Sequence, residues 1–341
     1  MNRIEVTQSQ LGELDALIID DPIDLYYLTG MSLSLGRLLI EPSQATLFVD
    51  GRYLEACEKE SPIPVSIWDW KTPFPIKPNS RVGFDSQKMT YDQAKQLESL
   101  NIKLIPVKGP ITKQRQIKDA TEIAKLRDAA TLGMKGFNHV LDLLKSGISE
   151  EELALELELF WRKSGGERLA FEPIIAFAEN GSKPHYRSGK RKLAIGDCVL
   201  IDLGVVLNRY HSDMTRVVFF KESSKEMEKI YHIVLKAQET ALSLCRAGVC
   251  IEELYKAAKD VIEGEGYKFI HSLGHGIGLE IHEPPRIASG KEVLVKNMVI
   301  TIEPGIYVPG LGGVRIEDTI VINSSGFDNL TQSTQKSIRY I

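Results

Sequence analysis

Apolar positions along the chain follow two spacings. Ile123, Leu126, Ala130, Met134, Phe137, Leu141 and Leu144 recur at steps of three and four, predicting a long amphipathic helix ended by Gly147. Ser149-x-x-Glu152 is a capping-box pattern, so a second helix should follow and stop near Gly165. The punctuation then returns. Lys145-Ser-Gly147-Ile-Ser-Glu-Glu151-Glu152-Leu153 aligns with Arg246-Ala-Gly248-Val-Cys-Ile-Glu252-Glu253-Leu254, and Gly165 pairs with Gly266 at the same offset of 101. Two helices followed by strands, repeated once, is the organisation this predicts. The strands come from the second spacing. Val199 to Val206 is largely aliphatic and reads as a buried strand, with Val217 to Phe220 as its partner.

The first third carries a different pattern. Asp15-Ala-Leu-Ile-Ile19 is a strand broken by Asp21-Pro22, and Leu38–Ile40 and Ala45–Val49 pair around Glu41-Pro-Ser-Gln44. Asp50-Gly51 leads into a helix through Tyr53 and Ala56. Arg81–Asp85 is another strand, and Thr90 caps a helix with Leu97 and Leu100 among its apolar positions. This reads as a small α/β unit whose aromatics, Trp68 and Trp70 among them, serve packing or an interface. Pro106, Gly109 and Pro110 mark a linker, giving a first domain over residues 1–112 and a second over 113–341.

Acidic residues interrupt the apolar strands of the second domain. Asp202 sits inside a run where an unpaired carboxylate is costly to desolvate, and Asp213 returns near the partner strand. If the two strands form a hairpin, both carboxylates can share one face. The bland alternative is a turn aspartate plus a buried salt bridge. Three further islands argue against it. His271-Ser-Leu-Gly-His275-Gly-Ile-Gly-Leu-Glu-Ile-His282 is glycine-rich, Val299-Ile-Thr-Ile-Glu303 ends an apolar strand in a carboxylate before Pro304, and Glu317 lies at the centre of Gly313-Val-Arg-Ile-Glu-Asp-Thr-Ile. One imidazole with four carboxylates is a mixed nitrogen and oxygen set suited to a pair of divalent cations activating a water.

These islands resemble the pita-bread metallopeptidases, the metal-dependent proline-specific and methionine aminopeptidases, over essentially the whole chain. The resemblance implies an α+β fold: a small creatinase-like N-terminal α/β domain, then a curved antiparallel sheet with helices in two pseudo-symmetric halves. Carried over by motif, Asp202, Asp213, His275, Glu303 and Glu317 are the metal ligands, with Asp213 and Glu317 bridging. Oxygen donors without thiolate favour Mn²⁺, with Co²⁺ or Zn²⁺ as alternatives. Glu303 is also the expected proton carrier, His185 and His282 donate to the substrate carbonyl, and His271, Tyr307 and Arg315 line the substrate. Arg315 could equally anchor a ligand carboxylate. One departure stands out: Phe177-Ala178 replaces a common Ser-Gly pair ahead of His185.

The hundred-residue N-terminal domain excludes a methionine aminopeptidase. The expectation is an Xaa-Pro aminopeptidase, with a prolidase (Xaa-Pro dipeptidase) as the alternative and a non-catalytic peptide-binding relative behind both. Composition changes this little. A net charge of −4 with mixed signs leaves no nucleic-acid surface, and no apolar run is long enough for a membrane span. Cys57, Cys198, Cys245 and Cys250 show neither CxxC spacing nor disulfide density, and the N-terminus lacks a secretory apolar core. A cytoplasmic enzyme acting on peptides is expected, and the resemblance adds a homodimer.

Overall fold

A computed structural model describes residues 2–341, which divide into two compact units between Arg115 and Gln116. In the first unit a six-stranded sheet runs in the order Val65–Ile67, Ala45–Val49, Arg37–Ile40, Ala16–Ile19, Arg81–Asp85, Lys103–Val107. Arg37–Ile40 and Ala45–Val49 form the expected antiparallel pair. Trp68 packs edge-on against Phe74, which does the same to Phe48, with the Arg37 guanidinium over the rings, so these aromatics build a core. Three prolines sit at element edges or starts. Pro22 opens a helix over Pro22–Thr29 capped by Asp21, where its missing N–H is harmless. The expected linker is structured: Pro106 lies in the edge strand Lys103–Val107, and Pro110 begins the helix Pro110–Arg115.

The second unit is built from the repeat. Its helices are Ala120–Leu143, Glu150–Lys163, Lys225–Leu244 and Ile251–Gly264. Gly147 and Gly248 both sit in the turn that follows a helix, in the left-handed region at φ +85° and +89°, and their N–H groups donate to the carbonyls of Leu193 and Leu294, themselves 101 positions apart. Ser149 bridges to Lys192 as Cys250 does to Val293, again at that offset. The duplication is thus one of backbone geometry as well as of sequence.

Strand alternation places the acidic residues. Cys198–Leu203 pairs antiparallel with Met214–Phe219, Asp202 standing opposite Thr215. Val199, Ile201 and Val218 pack with the first helix pair, while Cys198, Leu200, Val217 and Phe219 pack with the second. The two-residue period therefore sends Asp202, Asp213 and Thr215 to one face. A second antiparallel sheet carries Gly274–Gly276, Val299–Ile302 and Asp318–Ile322 side by side. The Glu317 N–H donates to the Thr215 carbonyl at 3.1 Å and ties the two sheets together. Among the described residues no helix is long and apolar enough to cross a membrane.

Candidate metal centre

Each acidic residue is held by backbone before its carboxylate is used. Asp213 precedes the strand Met214–Phe219, and its carbonyl accepts from the Thr319 hydroxyl at 2.8 Å. Glu303 follows Val299–Ile302, with its N–H donating to Leu273. The N–H of His275, in the strand Gly274–Gly276, donates to Thr301 Oγ1 at 3.1 Å. The flanking glycines are obligatory. A Cβ on Gly274 would lie 1.9 Å from the Thr301 carbonyl, and one on Gly276 would lie 2.3 Å from that of Pro284.

The side chains of Asp213, His275, Glu303 and Glu317 lie close together. His275 Nε2 is 3.5 Å from Asp213 Oδ2 and 3.4 Å from Glu303 Oε1. One donor atom each from Asp213, His275 and Glu317 fits within a 4.8 Å span. His275 Nδ1 lies 3.0 Å from the Gly276 carbonyl, which can only accept, so Nδ1 carries the proton and Nε2 turns its lone pair toward two carboxylates. That contact is repulsive unless a cation or a proton lies between. Burial is the largest influence on Asp213 and Glu317, and with the neighbouring carboxylates it raises both pKa values well above the ordinary range. Burial raises Glu303 too, against the lowering effect of His275 and Arg315. Asp202 Oδ1 and Glu317 Oε1 are buried without a hydrogen-bond partner. Unpartnered acceptors, converging like charges and an imidazole lone pair together fit a divalent-cation centre.

A second row of residues supports the first. Arg315, 4 % exposed, is hydrogen-bonded to Asp202, to the Tyr307 hydroxyl at 2.7 Å and to Thr215 Oγ1 at 3.1 Å. Thr215 in turn donates to Glu317 Oε2 at 2.7 Å. Of the two readings open for Arg315, the contacts favour the anchor for a ligand carboxylate. His271 Nδ1 faces the Ser272 carbonyl at 2.7 Å, so its Nε2 accepts from the Tyr307 hydroxyl at 3.0 Å. Desolvation pushes His271 down to about 4, which keeps the ring neutral. Both of its nitrogens are occupied. Thr215 and Thr301 went unremarked in the sequence, although Thr215 lies two positions beyond Asp213 on the same strand face.

Two imidazoles remain at the surface. The His282 ring stands edge-to-face on His275 with centroids 4.3 Å apart, and desolvation followed by the other two imidazoles lowers its pKa. His185 is exposed. It follows a 3₁₀ turn over Ala178–Ser182. Ala178 has φ +43°, so this chain holds an alanine in the left-handed conformation that a glycine adopts without strain.

Residues 124–324 match the sequence family described as metallopeptidase family M24, and residues 3–117 match the Creatinase/Prolidase N-terminal domain. The chain belongs to metallopeptidase family M24. Its two-unit α+β fold is the pita-bread arrangement with a creatinase-like N-terminal domain. This M24 chain is 36% identical over 332 residues to the Xaa-Pro dipeptidase of Pyrococcus furiosus, covering 95% of both chains. The solved structure of an Xaa-Pro dipeptidase from Bacillus anthracis is 32% identical, with a TM-score of 0.94 over 99% of this chain and 98% of the other. That of an X-Pro aminopeptidase from Thermotoga maritima is 31% identical, with a TM-score of 0.90 over 98% and 100%. Between the two proline-specific activities, these relatives weigh toward the dipeptidase, the alternative in the sequence reading rather than its first expectation.

Proposed function

We propose that the protein is an Xaa-Pro dipeptidase. The observation that carries this reading is end-to-end similarity to a protein named for that activity, together with a cluster chemically suited to the metals its family uses. Asp202, Asp213, His275, Glu303 and Glu317 would hold two divalent cations, Mn²⁺ ahead of Co²⁺ or Zn²⁺. When bound, the cations supply Lewis acidity at the scissile carbonyl and lower the pKa of the attacking water.

The remaining work falls to side chains. Glu303 is the proton carrier: its side chain is 18% exposed against 7% for Asp213, so it can reach both water and the leaving nitrogen. His282 and His185 donate N–H to the substrate carbonyl. Arg315 fixes Asp202, and the neutral His271 fixes the Tyr307 hydroxyl. With Arg315 and His271 engaged by the protein, the exposed imidazoles of His185 and His282 are the candidates left to meet substrate. We also read the protein as a cytoplasmic homodimer acting on peptides, with no nucleic-acid or membrane partner.

A second reading, release of the first residue from longer Xaa-Pro peptides, is supported by the Thermotoga maritima structure and by the Glu179-Asn-Gly…His185-Tyr run. Measuring kcat/KM for Ala-Pro and Ala-Pro-Ala at saturating Mn²⁺ separates them. The dipeptidase reading predicts at least about a tenfold preference for Ala-Pro, or about 1.4 kcal/mol. A preference for the tripeptide replaces it with the aminopeptidase.

A further inference from the structure

Glu150 is a buried carboxylate that the metal centre does not use. It is the first residue of the helix Glu150–Lys163, with 0% exposure. Its Oε1 accepts from the Phe177 N–H at 2.7 Å and from Asn180 Nδ2 at 3.0 Å. Its Oε2 accepts from the Tyr186 hydroxyl at 2.7 Å and from the Gly189 N–H at 3.1 Å. All four donors lie on the segment 177–189, which carries His185 beside Tyr186. Charge-assisted bonds are shorter and about twice as strong as neutral ones, so one carboxylate holds both ends of that segment.

The segment has other reasons to need holding. Ala178 occupies the left-handed region at φ +43°, and the His185 side chain between the two ends is exposed. Ser188 adds one anchor, accepting from the Ile175 N–H at 2.8 Å and donating to the Pro173 carbonyl. Backbone supplies another, from the Glu151 N–H to the Gly189 carbonyl at 2.9 Å. Glu150 reaches from Phe177 to Gly189.

We propose that Glu150 is a positioning residue that sets where His185 stands relative to the substrate. This rests on the substrate-facing role assigned to His185 above. Glu150 touches neither substrate nor cation; it acts through the Tyr186 and Gly189 contacts that bracket the imidazole.

The discriminating variant is Glu150→Gln. A glutamine keeps the volume but accepts at one atom only, and its NH₂ must face at least one backbone or amide N–H that can only donate. It is compared with His185→Ala and with the double variant, all loaded with Mn²⁺. Readouts are metal content, kcat and KM on Ala-Pro, and the rate of tryptic cleavage after Arg187, whose side chain is 88% exposed on the same segment. Glu150→Gln should keep its metal and lose about 10- to 100-fold in kcat with little change in KM, the scale of a misplaced group. It should add no further loss once His185 is alanine, and cleavage after Arg187 should accelerate. Equal losses in kcat with and without His185, or unaltered cleavage with unaltered kcat, overturn the proposal. If His185→Ala leaves kcat unchanged, the role of His185 fails instead, and the proteolysis rate still decides whether Glu150 holds the segment. Should Glu150→Gln misfold, Tyr186→Phe removes one donor and leaves the helix start intact. It should show a smaller loss in kcat that likewise vanishes without His185, and an equal loss in both backgrounds overturns the proposal.

Discussion

Stripping the metal should change how the protein's stability depends on pH, and the direction follows from the centre's charges. Without cations, burial and mutual repulsion raise Asp213, Glu303 and Glu317 above the ordinary carboxylate values of 3.8 and 4.5. The folded state then holds protons that the unfolded chain has lost. Stability from these groups is fully present below the unfolded values and is lost as pH rises through the folded ones. Each extra proton held changes stability by about 1.4 kcal/mol per pH unit. Cations reverse the dependence, because they bind the deprotonated ligands and bind them more tightly as pH rises. Two buried imidazoles complicate any single curve. His211 and His271, each pushed down to about 4 by desolvation, cost stability as pH falls below their ordinary 6.5. Comparing the two states at each pH cancels whatever part of this they share. Urea unfolding in chelator and in Mn²⁺, followed from about pH 5 to 8, should give a gap that widens by about 1.4 kcal/mol per pH unit for each proton exchanged. A gap that stays constant across this range would refute proton-for-cation exchange at these carboxylates.

Replacing His282 with alanine should leave metal content intact and cost about 2–4 kcal/mol of transition-state stabilisation, read from kcat/KM; metal loss in step with activity would make the residue structural. Replacing Arg315 with methionine leaves the Asp202 carboxylate without its guanidinium and should destabilise the metal-free protein by about 3–5 kcal/mol. The same change in the Mn²⁺-loaded protein should cost less, since the cation then faces Asp202, and equal losses in urea unfolding would contradict the anchoring role.

The helix pairs and their repetition were legible because the signals are local: steps of three and four, and glycines that the structure holds at φ +85°, +89°, +92° and +87°. The acidic residues were legible because a carboxylate inside an apolar strand is too costly to bury without a cation or a paired charge. What escaped was non-local. Thr215 bridges Arg315 and Glu317 from about a hundred positions away, and Glu150 reads as one of three consecutive glutamates until its four donors from 177–189 are seen. Pro106 and Pro110 resembled a linker since proline is rare inside elements, yet an edge strand and a helix start both tolerate it. Arg315 had two partners open to it by sequence, and only its contacts favour Asp202 over a substrate carboxylate.

Whether the cluster acts as a metal centre for dipeptide hydrolysis is tested most directly by titrating the stripped protein with Mn²⁺ while following bound metal and Ala-Pro turnover. Turnover should be absent without metal and rise with occupancy to two cations per chain, the paired arrangement the donor set implies. Turnover in the fully stripped protein, or two bound cations with no hydrolysis of Ala-Pro, would contradict it.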